Sequence, residues 1–275
     1  MHQLGLARVS ALLTAVTLAL SFGTSAAAAA LQVVTVLYAG SLVTPMEGPV
    51  KSALHDRGID FQGEPGGSKE LANLILGGVR SPDIFISVNP KLIAQLGGRV
   101  ASATTFSGTS LGVSWSPSSR YAALFEQVAA GKTSLESALE TPGIKIGRTD
   151  PKLDPKGEYT LQAVTMWLGR DGEQRLLGDD ENPAQIFPEE DLLARIDTGQ
   201  ADVGFFYRTE AVARKYRFIP LPGAAAMTDR ITYTLATMKN AAHPAAARTF
   251  ADFILTGDGR TILEHAGLTY LNPPH

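Results

Sequence analysis

The chain of 275 residues contains no cysteine. That excludes disulfide scaffolds, thiolate zinc sites, iron–sulfur clusters and cysteine nucleophiles, and leaves oxygen, nitrogen and backbone groups to carry any chemistry. Histidine is scarce, with five residues in all. His2 and His275 stand at the two ends, while His55, His243 and His265 fall in polar stretches. With no HExxH, GxSxG or SxxK pattern, a catalytic triad with its usual histidine base is not expected. Asp197 and Asp202 read as turn residues rather than an acid–base pair. Charge of one sign is lacking too: 24 basic and 27 acidic side chains give a formal charge of −3. No window clusters Lys and Arg, so the phosphate-neutralising surface that nucleic acid demands is missing. The remainder, 44% apolar and 19% charged, is a globular composition.

Residues 1–30 have the order of a secretory signal peptide: Arg8, an apolar run from Ala11 to Phe22, then Gly23, Thr24, Ser25 and five alanines. The apolar run is short of the roughly 20 residues that span a bilayer. Cleavage after Ala28, Ala29 or Ala30 is expected, with the mature chain starting near Leu31. Without a cysteine there the new N-terminus takes no lipid, so a freely diffusing periplasmic protein is expected.

About 245 mature residues suffice for two lobes with their own cores. Periodicity predicts strands at 32–37, 60–62, 83–87, 111–114, 144–147, 203–207 and 231–238. Between them lie helical patterns: Leu71, Leu74, Ile75 and Val79; Leu161, Val164 and Leu168; Leu192, Leu193 and Ile196. Alternating strands and helices predict an α/β fold with sheets covered on both faces. Two pieces echo each other, Ser81-Pro82-Asp83-Ile84-Phe85-Ile86-Ser87 and Gly199-Gln200-Ala201-Asp202-Val203-Gly204-Phe205-Phe206, which hints at two similar lobes. Helical patterns over 246–255 and 259–263 close the chain and are expected to pack on the first lobe.

The candidate chemistry sits where a strand gives way, through small residues, to a helix. Tyr38-Ala39-Gly40-Ser41-Leu42 and Gly63-Glu64-Pro65-Gly66-Gly67-Ser68 are two such junctions. They point unpaired backbone N–H groups and a serine hydroxyl outward, which suits an anion, though a serine before a helix is also a sufficient cap. Glycine at 40, 66 and 67 lets the backbone approach closely. Two further segments bring carboxylates. Asp154 before Pro155 is a helix-start signature, and Tyr207-Arg208-Thr209-Glu210 opens a helix after the strand VGFFY, with Thr209 placed to cap it. Either acid is also explained by helix capping or the helix dipole alone.

These motifs, taken in order with PDIFISVN, GRTDPKLDPKG and GQADVGFFYRTEA, resemble the periplasmic molybdate- and tungstate-binding proteins of ABC importers, above all the archaeal-type branch. The resemblance runs from about residue 33 to the C-terminus. It implies a two-lobed solute-binding fold of type II with two crossovers and the ligand in the interlobe cleft. Lobe 1 is then 31–108 plus 225–275, and lobe 2 is 109–224. By position, Ser41 and Ser68, with Gly40, Gly67 and Tyr207, would contact the oxyanion. Asp154 and Glu210 would coordinate the molybdenum or tungsten centre itself. The sequence departs from the branch within its DPxG element, where Lys156, Glu158 and Tyr159 stand; if Lys156 or Arg148 offsets the extra acid instead, the alternative is a tetrahedral oxyanion site without direct coordination.

Two carboxylates beside a dianion repel it unless their oxygens bond to its central atom. Mo(VI) and W(VI) are hard and can expand beyond four oxygens, whereas sulfate and phosphate cannot, so the pair would select for the metal oxyanions. The resemblance implies a monomeric, non-enzymatic receptor, needing no cofactor, that delivers its anion to a permease. Ferric ion, which also favours carboxylate and phenol oxygens, is the alternative ligand. An exported hydrolase or transferase on a similar fold is the alternative class.

Overall fold

The computed structural model describes residues 30–271. Residues 1–29 of the expected signal peptide, and His275, lie outside them.

The strands are β1 (Gln32–Ala39), β2 (Ile59–Gly66), β3 (Ile84–Ser87), β4 (Val100–Gly108), β5 (Leu111–Trp115), β6 (Ile146–Thr149), β7 (Ile186–Phe187), β8 (Val203–Tyr207), β9 (Arg217–Pro220), β10 (Thr232–Met238) and β11 (Thr269–Tyr270). They form two mixed sheets, one per lobe. The first has the order β11-β4-β10-β3-β1-β2 and the second β7-β6-β8-β5-β9. The chain passes from the first sheet to the second between β4 and β5 and returns between β9 and β10. The parallel strands, β1 with β2 and β3, and β6 with β7 and β8, give each sheet a set of carboxyl ends facing one way. In open α/β sheets that is where ligands bind.

Both sheets are covered on both faces, as the alternation of helices with strands predicts. In the first, Val36, Tyr38, Ile84 and Ile86 join the large core, which also takes in Phe250 of the helix Pro244–Leu255. Leu37 and Phe85, one residue out of phase, pack instead with Leu71 and Ile75 of the helix Ser68–Leu76. In the second sheet Phe205 belongs to the large core and Phe206 to a cluster with Leu192, Leu193 and Ile196. Each fully buried phenylalanine contributes about 1.5–3 kcal/mol relative to exposure. A one-residue slip of β8 would exchange the two faces.

The structure departs from the sequence-based elements in several places. The helix Ser68–Leu76 ends at Gly77, so Val79 is not on its apolar face and is 61% exposed. Strand β2 continues through Pro65 and Gly66, which proline permits because β2 is an edge strand. The strand expected at 144–147 forms at Ile146–Thr149. Strands β4, β7, β9 and β11 lie outside the segments in which periodicity predicts strands. The helix Pro155–Leu177 is broken at Gly169, whose φ of 73° glycine adopts without the steric cost of a side chain. His243 is not simply exposed: its backbone N–H and its Nδ1 lie 2.8 and 2.9 Å from the carboxylate oxygens of buried Asp83.

Candidate functional site

Four chain reversals at the carboxyl ends of parallel strands build the site. After β1, Gly40, Ser41 and Leu42 make a buried helical turn. After β2, Gly67 leads into Ser68–Leu76, with Ser68 buried at the helix start and its hydroxyl accepting the Val88 N–H at 3.4 Å. After β6, Asp154 caps Pro155–Leu177: its Oδ1 accepts the Lys156 N–H at 3.2 Å, with Pro155 in the first helical position, as the Asp-Pro pair predicts. After β8, Tyr207 begins the helix Arg208–Arg214, and its backbone N–H donates to Glu210 Oε2 at 2.8 Å.

These reversals meet across the two lobes. The Glu70 N–H, in the first turn of its helix, donates to the Leu153 carbonyl at 3.1 Å. Lys69 Nζ donates to the Pro151 carbonyl at 2.8 Å and pairs with Glu158. A side chain on Gly67 would start 2.7 Å from the Leu153 oxygen and 3.4 Å from Asp154 Cβ, so glycine is what lets the two backbones close together here. On the other side Ser41 Oγ lies 2.9 Å from the Tyr233 hydroxyl, which in turn lies 3.3 Å from Thr209 Oγ1. Ser41 and Tyr233 come from the first sheet's lobe and Thr209 from the second's.

The residues singled out from sequence are therefore brought into one buried region. Gly67 adjoins Asp154, Asp154 is tied to Lys156, and Lys156 Nζ lies 2.7 Å from Glu210 Oε1. Glu210 follows Thr209, and the hydroxyl chain leads from there to Ser41. Tyr207 enters through its backbone N–H and through its ring, whose centroid lies 5.7 Å from Lys156 Nζ.

The two acids differ. Asp154 Oδ2 is buried with no hydrogen-bond partner among the described residues. Both oxygens of Glu210 are engaged, one by the Lys156 ammonium and one by the Tyr207 N–H. Burial pushes the Glu210 pKa above the usual carboxylate range, against the pull of Lys156 and of that N–H. Arg148, the other cation weighed against these acids, points away. Its guanidinium donates to the carbonyls of Asp179 and Asp180 and to Gln185 Oε1, fixing the connection from β6 to β7. Thr209 does not cap its helix, a role taken by Tyr207 and Glu210; its hydroxyl serves the link to Tyr233 instead.

Sequence reasoning missed Tyr233. Nothing local marks it, because its partner Ser41 lies 192 residues away. It also missed that the Lys156 ammonium pairs with Glu210, 54 residues on.

Among the described residues no helix is long and apolar enough to cross a membrane. Nor do three His, Asp or Glu side chains among them gather as a cation cage would need.

A protein of Haloferax volcanii, provisionally named as an ABC transporter molybdenum-binding protein, is 32% identical over 201 residues. The match takes in 71% of this chain and 62% of the relative, so this chain spans less than two thirds of that protein's length. In fold, the periplasmic molybdate-binding protein of Azotobacter vinelandii superposes with a TM-score of 0.66 at 18% identity, covering 86% of this chain and 98% of that one. The sulfate-binding protein SubI of Mycobacterium tuberculosis gives 0.64 at 15% identity, covering 88% of each. A family match extends over residues 34–269, nearly the whole described region, and the family is one of binders rather than enzymes. The chain belongs to the bacterial extracellular solute-binding proteins.

Proposed function

We propose that this protein captures molybdate or tungstate in the periplasm and, as a monomer, delivers it to the permease of an ABC importer. Two serines at the first lobe's backbone junctions, Ser41 and Ser68, together with Gly40 and Gly67, hold the anion's oxygens. Tyr207 and the acids Asp154 and Glu210 face them from the second lobe. Closure of the lobes excludes water, which strengthens each hydrogen bond to the charged ligand.

The observation that carries the reading is the buried, unpartnered Oδ2 of Asp154, a residue whose Cβ lies beside Gly67. A carboxylate oxygen in that position repels sulfate or phosphate, which have nothing to offer it. It suits a hard metal centre able to accept a further oxygen. The name of the Haloferax relative supports the same ligand class.

Thermal unfolding tests the ligand class. Molybdate and tungstate are expected to raise the melting temperature, and sulfate, phosphate and ferric ion to leave it unchanged. An equal rise with sulfate, or a rise with ferric ion alone, contradicts the reading.

A further inference from the structure

Lys69 stands in the first turn of the helix Ser68–Leu76, next to one of the serines assigned to the anion. A cation at that end meets the positive pole of its own helix, an unfavourable place within the first lobe alone. Both of its described partners lie in the second lobe: Nζ donates to the Pro151 carbonyl at 2.8 Å and pairs with Glu158 Oε2. Glu158 is held differently. It occupies the first turn of the helix Pro155–Leu177, where the dipole favours an acid, and its Oε1 accepts from Gln162 Nε2 at 3.0 Å.

The lysine therefore gains only when the lobes meet, whereas the acid is supported by its own helix. With 23% and 41% of their side chains exposed, the two residues sit at the rim of the contact. Such charges part into water without the penalty that a buried ion incurs, so the pair can form and break as the lobes move. Glu158 is also one of the residues at which the sequence departs from the branch it resembles, and the anion site leaves it unused.

We propose that Lys69 changes partners as the lobes close. In the open protein its ammonium stands unpaired beside Ser68 and adds to the positive potential that draws an anion to that junction. On closure it passes to Glu158 and the Pro151 carbonyl, where it latches the two helix starts together and biases the lobes toward the closed state. The steering rests on the oxyanion reading above; the latch does not.

Two measurements on the protein lacking residues 1–30 separate these roles. Because the chain has no cysteine, Asn73→Cys and Met166→Cys, at exposed positions on the two latched helices, take spin labels uniquely. Pulsed electron resonance without ligand is expected to show a shorter label separation in this background than when K69M or E158Q is added to it. Indistinguishable separations overturn the latch.

Stopped-flow binding of molybdate reads both roles. E158Q is expected to release the anion about threefold faster with association no slower, the scale of one rim ion pair. K69M also loses the bond to the Pro151 carbonyl and is expected to release it about tenfold faster. Its association should be about threefold slower at low salt, a difference that high salt erases. The exchange K69E/E158K restores the pair but sets an acid beside Ser68, so release should slow toward the unaltered rate while association stays slow. Release rates in K69M and E158Q equal to that of the unaltered protein overturn the latch, and unchanged association of K69M at low salt overturns the steering. Failure of the unaltered protein to bind molybdate or tungstate contradicts the functional reading and the steering with it, and the label separations alone then decide the latch.

Discussion

The carbonyl oxygen of Leu153 lies 2.7 Å from the point where a side chain on Gly67 would begin. These two residues belong to different lobes, and their contact is reinforced by the Glu70 N–H on the same carbonyl. The closeness of the lobes at the site therefore depends on the absence of one methyl group.

Gly67→Ala follows directly. The φ of −60° at Gly67 is open to any residue, so the lobe itself should fold without strain. The methyl group blocks closure instead. Oxyanion affinity should fall about tenfold or more with the melting temperature of the ligand-free protein little changed, since the loss is in closure rather than folding. Small-angle scattering of the variant with ligand should keep the open dimensions. Unaltered affinity would mean that closure at this contact is not needed for capture.

The Ser41–Tyr233–Thr209 chain carries a second prediction. A serine that donates its proton to an anion needs its own oxygen supported, and the Tyr233 hydroxyl is 2.9 Å away. Tyr233→Phe should weaken binding about fivefold, the worth of one buried hydrogen bond. Combined with Ser41→Ala it should add little, because both changes act through one hydroxyl. Fully additive losses in titrations of the single and double variants would show that Tyr233 acts elsewhere.

Asp83 predicts a pH dependence of stability rather than of binding. It is fully buried; burial pushes its pKa up, but N–H groups of Thr35 and His243, the His243 ring and the Thr35 hydroxyl outweigh that and leave it below the usual carboxylate value. A depressed pKa in the folded state means stability that is present above the unfolded value and lost as pH falls through the folded one. Asp83→Asn should cost about 3 kcal/mol in urea unfolding at pH 7. The gap between the variant and the unaltered protein should narrow in acid, below the ordinary carboxylate range. A gap of constant size from pH 7 to pH 3 would contradict this role for the charge.

The same aspartate shows what the sequence made legible. The echo between the segments around Asp83 and Asp202 corresponds to one device used in both sheets. Asp83 donates its N–H to the Thr35 carbonyl and accepts the Thr35 N–H on Oδ2; Asp202 does the same with Lys145. Such strand starts, like the Asp154–Pro155 helix start and the strand-to-helix junctions at Gly40 and Gly67, are written in a few consecutive residues. Strand β4 was not, because VASATTFSG is rich in small and hydroxyl-bearing residues and its first half faces solvent. Tyr233 and the choice of Lys156 for Glu210 depend on which distant strand ends meet, and no local pattern encodes that.

Calorimetric titration of the protein lacking residues 1–30 with molybdate and tungstate, with and without excess sulfate, tests the central claim most directly. The account predicts tight one-to-one binding that sulfate leaves undisturbed. No heat with either metal oxyanion, or displacement of both by sulfate, would contradict it.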